Sequence, residues 1–149
     1  MARNRISLQV KGFNEYMAKL DKLGGNDAMK RGVESALIAS KAYVNPKIEN
    51  AMVKSNLPAG GKYSVDEGTK NSIDKDMTVE WAGLTGEIKI GFDFKKSGLK
   101  SVFLMYGTPQ HSPVAGLYDA IYGSKTQRQI AKIQGEALDK VVKRVMEGK

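Results

Sequence analysis

The residues of this chain that could do chemistry are few, and the sequence does not bring them together. There is one histidine, His111, and no cysteine. His111 lies between Pro109 and Pro113 in a predicted loop, and Ser112 is its nearest hydroxyl along the chain. A general base needs a nucleophile and an orienting partner within hydrogen-bond reach, and neighbours in an extended loop point apart. We therefore expect His111 to be an exposed loop residue. The lack of cysteine excludes disulfides, thiolate metal sites and cysteine nucleophiles.

The acidic clusters and the one glycine-lysine run do not match known ligand-binding patterns. Asp66-Glu67 and the pair Asp74 and Asp76 lack the alternating oxygen ligands, central glycine and closing glutamate of a calcium loop. Gly60-Gly61-Lys62 lacks the leading glycine of a phosphate-binding loop. The sequence thus predicts no catalytic residue, no metal site and no cofactor, and we expect a protein that is not an enzyme.

The positive charge of the chain is concentrated at its two ends. Residues 1–31 hold seven Lys and Arg against three Asp and Glu, and residues 125–149 hold the same numbers, so the ends account for the whole net charge of +8. This split favours terminal elements that face an acidic partner or nucleic acid. No apolar run approaches the ~20 residues that cross a bilayer, so no membrane association is expected.

The first half of the chain predicts a strand and two helices. Residues 6–10 alternate apolar and polar side chains, which indicates a short strand, and residues 13–23 have the apolar spacing of an amphipathic helix. A longer helix starts at Asn26 or Asp27, and Pro46 predicts a kink or a break at Asn45-Pro46. The predicted buried stripe of this helix is Met29, Val33, Ala36, Leu37, Ser40, Val44, Ile48 and Met52.

The second half predicts a small sheet and a C-terminal helix. Residues 77–81 and 88–92 alternate around a glycine-bounded turn, which is typical of an antiparallel hairpin. After a predicted turn at Lys95–Gly98, the apolar run Val102–Tyr106 predicts a central strand, with Phe103 and Tyr106 in the core. A helix is predicted from about Lys125 to Glu147. Its apolar face consists of Ile130, Ile133, Ala137, Leu138, Val141, Val142 and Val145.

The predicted fold class is α+β. A small antiparallel sheet, made of the hairpin and the central strand, packs against a long bent helix and a C-terminal helix. The 149 residues predict a single domain. Residues 55–71 show no periodicity and contain Pro58 and Gly60-Gly61, so they predict a flexible arm that orders on contact with a neighbour.

Two short motifs carry a resemblance to a phage family. Gly68-Thr69-Lys70-Asn71-Ser72-Ile73 precedes the hairpin, and Tyr106-Gly107-Thr108 ends the apolar run. Together with the order of elements, these motifs make the chain similar to the neck or tail-completion family of long-tailed bacteriophages, the minor tail and head-tail joining proteins. In that family a Thr-Gly-type turn followed by Ser-Ile opens the sheet, and a Tyr followed by Gly-Thr closes a strand. This chain differs in reading Gly68-Thr69, and in having Met105 where an acidic residue is usual.

The resemblance implies a structural role in the virion, with no enzymatic activity. It implies that the protein is made in the host bacterial cytoplasm and forms a ring, with the six-fold symmetry of the tail, at the head-tail junction. The implied partners are further copies of the chain and the adjacent head-closure and tail-terminator or tail-tube proteins. DNA in the channel is a further candidate partner, because the basic ends could face it. The alternative is a small basic DNA-binding protein that uses Lys140, Lys143 and Arg144 on its last helix.

Overall fold

The computed structural model describes residues 5–8, 26–53, 72–83 and 85–147. Within these residues the protein is α+β, with a small antiparallel sheet, a long helix and a C-terminal helix, and the predicted fold class is confirmed. The predicted helix over 13–23 and the predicted arm over 55–71 lie outside the described residues. The elements in chain order are β1 (Arg5–Leu8), α1 (Asn26–Val53), β2 (Glu80–Ala82), β3 (Thr85–Lys89), α2 (Phe94–Tyr106), α3 (Leu117–Tyr122) and α4 (Ser124–Met146).

The sheet has the strand order β1-β3-β2, and both pairs are antiparallel. In the β2–β3 pair Ala82 faces Thr85, at the end of the two strands where the chain reverses. This pairing confirms the predicted antiparallel hairpin, but its strands are Glu80–Ala82 and Thr85–Lys89 rather than 77–81 and 88–92. The predicted N-terminal strand is also present, because Ile6 of β1 pairs with Ile88 of β3.

The chain groups into two compact units, each built from separate stretches of sequence. The first comprises 1–41, 77–89 and 129–149, and the second comprises 42–76 and 90–128. The sheet therefore belongs to the first unit, while α2 and α3 belong to the second. The long helices α1 and α4 each contribute residues to both units. That the chain forms a single domain stays a prediction.

The core of the first unit lies between α1 and the sheet. Val33, Leu37 and Ile88 are buried together, and the partly buried Val79, Trp81 and Leu138 pack against them. The sheet approaches α1 closely at Gly86, where an added Cβ would lie 2.9 Å from Cγ1 of Val33. The indole Nε1 of Trp81 donates to Oε1 of Glu34 at 3.2 Å.

The predicted buried stripe of the long helix is confirmed in full. All eight of its residues, from Met29 to Met52, are at most 4% exposed. Ser40 is accommodated because its hydroxyl donates to the Ala36 carbonyl at 2.7 Å, one turn earlier. The helix also continues through Pro46 to Val53, so the possibility of a break at this residue is wrong.

The prediction of a central strand at Val102–Tyr106 is wrong, because these residues form the end of helix α2. The predicted turn at Lys95–Gly98 is wrong for the same reason. A short apolar run fits a strand and a helix equally well. The deciding signal is Asp93, whose side chain accepts a hydrogen bond from the Lys95 amide at 3.0 Å and caps the helix.

The prediction that Tyr106 belongs to the core is wrong too, since 57% of this residue is exposed. Among the described side chains of α2, Ser101, Leu104 and Met105 are buried and Val102 is exposed. This order has the helical period rather than the period of a strand. Tyr106-Gly107-Thr108 therefore closes a helix, whereas the family pattern expects it to close a strand.

Residues 72–74, which precede the hairpin, are held within the second unit by backbone pairing and hydrogen bonds. Ile73 forms an isolated antiparallel bridge with Phe92, so Ser72-Ile73 pairs outside the three-stranded sheet. The amide of Asp93 donates to the Ser72 carbonyl at 2.6 Å. The side-chain nitrogen of Asn45 donates to the Asp74 carbonyl at 3.2 Å and ties the segment to α1.

Candidate interaction surfaces

Three tyrosines meet on the second unit and form an aromatic cluster, here named the tyrosine patch. Tyr106 ends α2, while Tyr118 and Tyr122 lie one turn apart on α3. The ring of Tyr118 lies edge-on to Tyr106, with centroids 5.9 Å apart, and 5.2 Å from the centroid of Tyr122. Tyr106 is 57% and Tyr118 47% exposed. The patch therefore presents large aromatic rings to solvent in a fixed arrangement.

The loop over 107–113 follows the tyrosine patch directly and is held by its own backbone. Thr108 and His111 exchange two backbone hydrogen bonds, of 2.8 and 3.1 Å. The Thr108 hydroxyl oxygen also accepts from the amides of Gln110 and His111. Residues 109–113 are nevertheless all exposed. This loop thus projects side chains without carboxylate or ammonium groups from an ordered backbone.

Gly107 sets the direction in which this loop leaves α2. Its backbone has φ 78° and ψ −178°, a region that is open almost only to glycine. The Gly107 amide donates to the Phe103 carbonyl at 2.8 Å and closes the helix. An added Cβ would lie 2.8 Å from the backbone oxygen of His111 and 2.9 Å from Cδ of Pro113. The Tyr-Gly-Thr motif therefore has a structural explanation, since the glycine is required by the turn.

Burial raises the pKa of the Tyr122 hydroxyl above its usual value near 10, and the nearby Tyr106 and Tyr118 raise this pKa further. The folded protein therefore holds this proton more tightly than the unfolded chain does. The resulting stability is fully present below about pH 10 and is lost as the pH rises through the folded-state pKa.

We therefore expect the melting temperature of the protein to fall with increasing pH in this alkaline range, and Tyr122→Phe to reduce the fall. Thermal melts of parent and variant in matched alkaline buffers measure the difference. If both proteins lost stability in parallel across that range, Tyr122 would not be the responsible group.

The C-terminal helix α4 is buried along one face of its first half and carries basic side chains on its exposed face. Thr126, Ile130 and Gln134 are buried and follow one another at intervals of four residues. The exposed face carries six basic residues, and the first acidic residue of the helix is Glu136. These basic residues are Lys125, Arg128, Lys132, Lys140, Lys143 and Arg144. The predicted helix over 125–147 is thereby confirmed within one residue at each end.

Of the candidate residues for chemistry, the structure describes His111, Ser112, Asp74 and Asp76. His111 and Ser112 lie in the exposed loop over 107–113. Asp74 is half-buried, and its carboxylate accepts from the Asp76 amide at 2.9 Å, as in a turn. Among the described residues there is no group of three or more His, Cys, Asp or Glu side chains that could hold a metal ion.

The tyrosine patch was not predicted from the sequence. No element was predicted over residues 117–122, and Tyr106 was placed in a buried strand. One signal was available, because Tyr118 and Tyr122 are four residues apart and share a face of any helix that contains them. Their contact with Tyr106 depends on tertiary structure, which spacing alone does not give.

Comparisons with known proteins found no match. No protein-family model, no curated protein and no solved structure matches this chain. Across the described residues, every helix is too short or too polar to span a bilayer.

Proposed function

We propose that this chain is a non-enzymatic virion assembly protein at the head-tail junction of a long-tailed phage. In this role it is a neck or tail-completion component, and its copies form a ring that joins the head connector to the tail. Its further partners are the adjacent head-closure and tail-terminator or tail-tube proteins. The proposal combines the family resemblance of the sequence with the chemistry of the tyrosine patch.

The tyrosine patch is the observation that carries the proposal. Tyrosine is enriched in protein interfaces, where its ring buries a large area and its hydroxyl group tolerates water. Rings that are already packed against one another lose little conformational freedom when a partner covers them. Tyr106 and Tyr118 have both properties, because they are about half exposed and in contact. They are the side chains that we expect to contribute most to binding a protein partner.

The loop over 107–113 supports the same proposal. Its backbone hydrogen bonds fix its shape before any partner is present, and its side chains carry no carboxylate or ammonium group. A preformed projection beside an aromatic patch can enter a recess on a neighbouring protein at low entropic cost. A ring requires such a contact between two different surfaces of neighbouring copies, because a contact of this kind, repeated by rotation, closes the ring.

The test compares a variant of the tyrosine patch with a matched surface variant. We expect the parent protein to form rings, and Tyr106→Ser combined with Tyr118→Ser to yield monomers with an unchanged melting temperature. Met146→Ser is the control, because Met146 is 70% exposed on α4 and lies outside the patch. Sedimentation velocity gives the assembly state, and negative-stain electron microscopy shows whether the assemblies are rings.

A parent protein that stays monomeric, both alone and with its neighbouring neck proteins, would contradict the proposal. Rings that survive the double substitution would leave assembly possible but would exclude the tyrosine patch as its interface. The second candidate is the small DNA-binding protein that uses Lys140, Lys143 and Arg144. The exposure of all three side chains at the end of α4 favours it.

A further inference from the structure

We propose that the first half of α4 carries a surface that binds the phosphate backbone of DNA, formed by Lys125, Arg128 and Lys132, here named the basic row. This inference goes beyond ring assembly and stands whether or not the protein forms a ring. It also differs from the alternative function, which uses the basic residues at the other end of the same helix.

The basic row is a geometric property of the helix. Its members are spaced by three and four residues, so they follow one another along one face and span about 10 Å of helix axis. All three are exposed. Thr126 and Ile130, on the opposite face, are buried. Helix α4 thus points the basic row away from the surface through which it packs.

The basic row opposes the stability of its own helix through Lys125, which lies in the first turn, and through the like charges of the other two residues. The N-terminal end of a helix carries a partial positive charge, and cations there are unfavourable. The first turn of α4 has no acidic residue, and Arg128 and Lys132 are like charges four residues apart. Lys132 does face Glu136, at 3.9 Å, but exposed pairs of this kind contribute little. The helix itself therefore gives no reason for the basic row.

The other end of α4 shows the opposite relationship. Lys143 and Arg144 lie in its last turn, where cations interact favourably with the partial negative charge of the C-terminus. Their presence is explained by the stability of the helix alone. This contrast favours the basic row over the cations of the last turn as the DNA-binding surface.

The composition of the surrounding face favours phosphate over a protein partner. The other exposed residues of this stretch are Ser124, Gln127 and Ala131, which provide no aromatic or large apolar anchor. Protein interfaces are depleted in lysine and depend on such anchors. Phosphate oxygens are contacted by Lys, Arg, Ser and Gln side chains. The same face of a second copy is excluded as the occupant, because like charges would meet there.

The experiment measures DNA binding as a function of salt with two triple variants that remove the same charge. The first is Lys125→Gln, Arg128→Gln and Lys132→Gln, and the second is Lys140→Gln, Lys143→Gln and Arg144→Gln. Fluorescence anisotropy with a mixed-sequence duplex gives the affinity of each protein. Neutralising three phosphate contacts lowers the slope of log affinity against log salt by about 2.7 units.

We expect the basic-row variant to lose at least about tenfold in affinity at low salt and to show this reduced slope. The second variant should keep most of its affinity. Thermal melts should move in opposite senses. The first variant removes Lys125 from the first turn and the repulsion between Arg128 and Lys132, whereas the second removes the favourable Lys143 and Arg144 from the last turn. If the basic-row variant binds DNA less well but melts at no lower temperature than the parent, unfolding cannot explain its loss of affinity.

Three outcomes would overturn the inference. The parent protein could fail to bind DNA, or both triple variants could lose affinity equally, which would indicate an effect of bulk charge. Polyglutamate could also compete as effectively as DNA at equal charge, which would indicate an acidic protein as the partner. Sedimentation of the same samples reports ring formation separately, so failure of the DNA surface and failure of assembly are distinguishable.

Discussion

Leu37→Ala is expected to lower the free energy of unfolding by ~2–5 kcal/mol. Leu37 is completely buried at the centre of the cluster with Val33 and Ile88. Truncation removes apolar contacts and leaves a cavity that the sheet and the helix can close only in part. A domain of this class has only ~5–15 kcal/mol of stability, so this loss is a large fraction of the total. Chemical denaturation with urea measures it.

The adjacent residue provides a matched control. Ile38 is an aliphatic residue on the same helix, but it is 38% exposed. Ile38→Ala should therefore lower the stability much less than Leu37→Ala, although both substitutions have a similar effect on helix propensity. If the two variants unfolded at the same urea concentration, α1 would not be packed on the sheet through Leu37.

Periodicity in the sequence predicts an element correctly where that element is long and packs through one face. The eight residues predicted for the buried stripe of α1 are all buried, and the C-terminal helix begins and ends within one residue of its predicted limits. The apolar pattern repeats over about six turns in α1 and about four turns in α4. The two-residue period of a strand cannot place so many apolar residues on one face.

Periodicity could not distinguish a strand from a helix in the five-residue run that ends in Tyr106. A run of this length is compatible with a strand and with a little more than one turn of helix. The cap at Asp93 lies nine residues before Val102, so the information that decides between the two is local to the start of the helix. The prediction of a strand also placed Tyr106 in the core and hid the tyrosine patch.

The two proposed surfaces differ in how far the sequence could predict them. The charge split indicated that the C-terminal helix carries basic residues toward a partner, but not which of those residues the helix needs for its own stability. That distinction also uses the limits of α4, which the apolar periodicity predicts and which separate Lys125 at one end of the helix dipole from Arg144 at the other. The tyrosine patch requires contacts between α2 and α3, which no local pattern contains.

Gly107→Ala is expected to destabilise the protein and to disrupt the loop over 107–113. The backbone of Gly107 occupies a region that costs non-glycine residues on the order of 1–3 kcal/mol. The new methyl group would also lie 2.8 Å from the backbone oxygen of His111, so the loop would have to move. Because the loop starts at the tyrosine patch, this movement should weaken ring assembly as well as stability.

Gly116 provides the control, since it combines a similar φ with open space. Its φ is 80° and its ψ is −8°, in the left-handed helical region, and no atom lies within 4 Å of an added Cβ. Gly116→Ala should therefore cost only the backbone term of ~1–2 kcal/mol and leave the loop in place. Melting temperature and sedimentation of both variants separate the two effects. If Gly116→Ala destabilised the protein as much as Gly107→Ala and rings persisted in both variants, the close contact with His111 would have no role in shaping the interface.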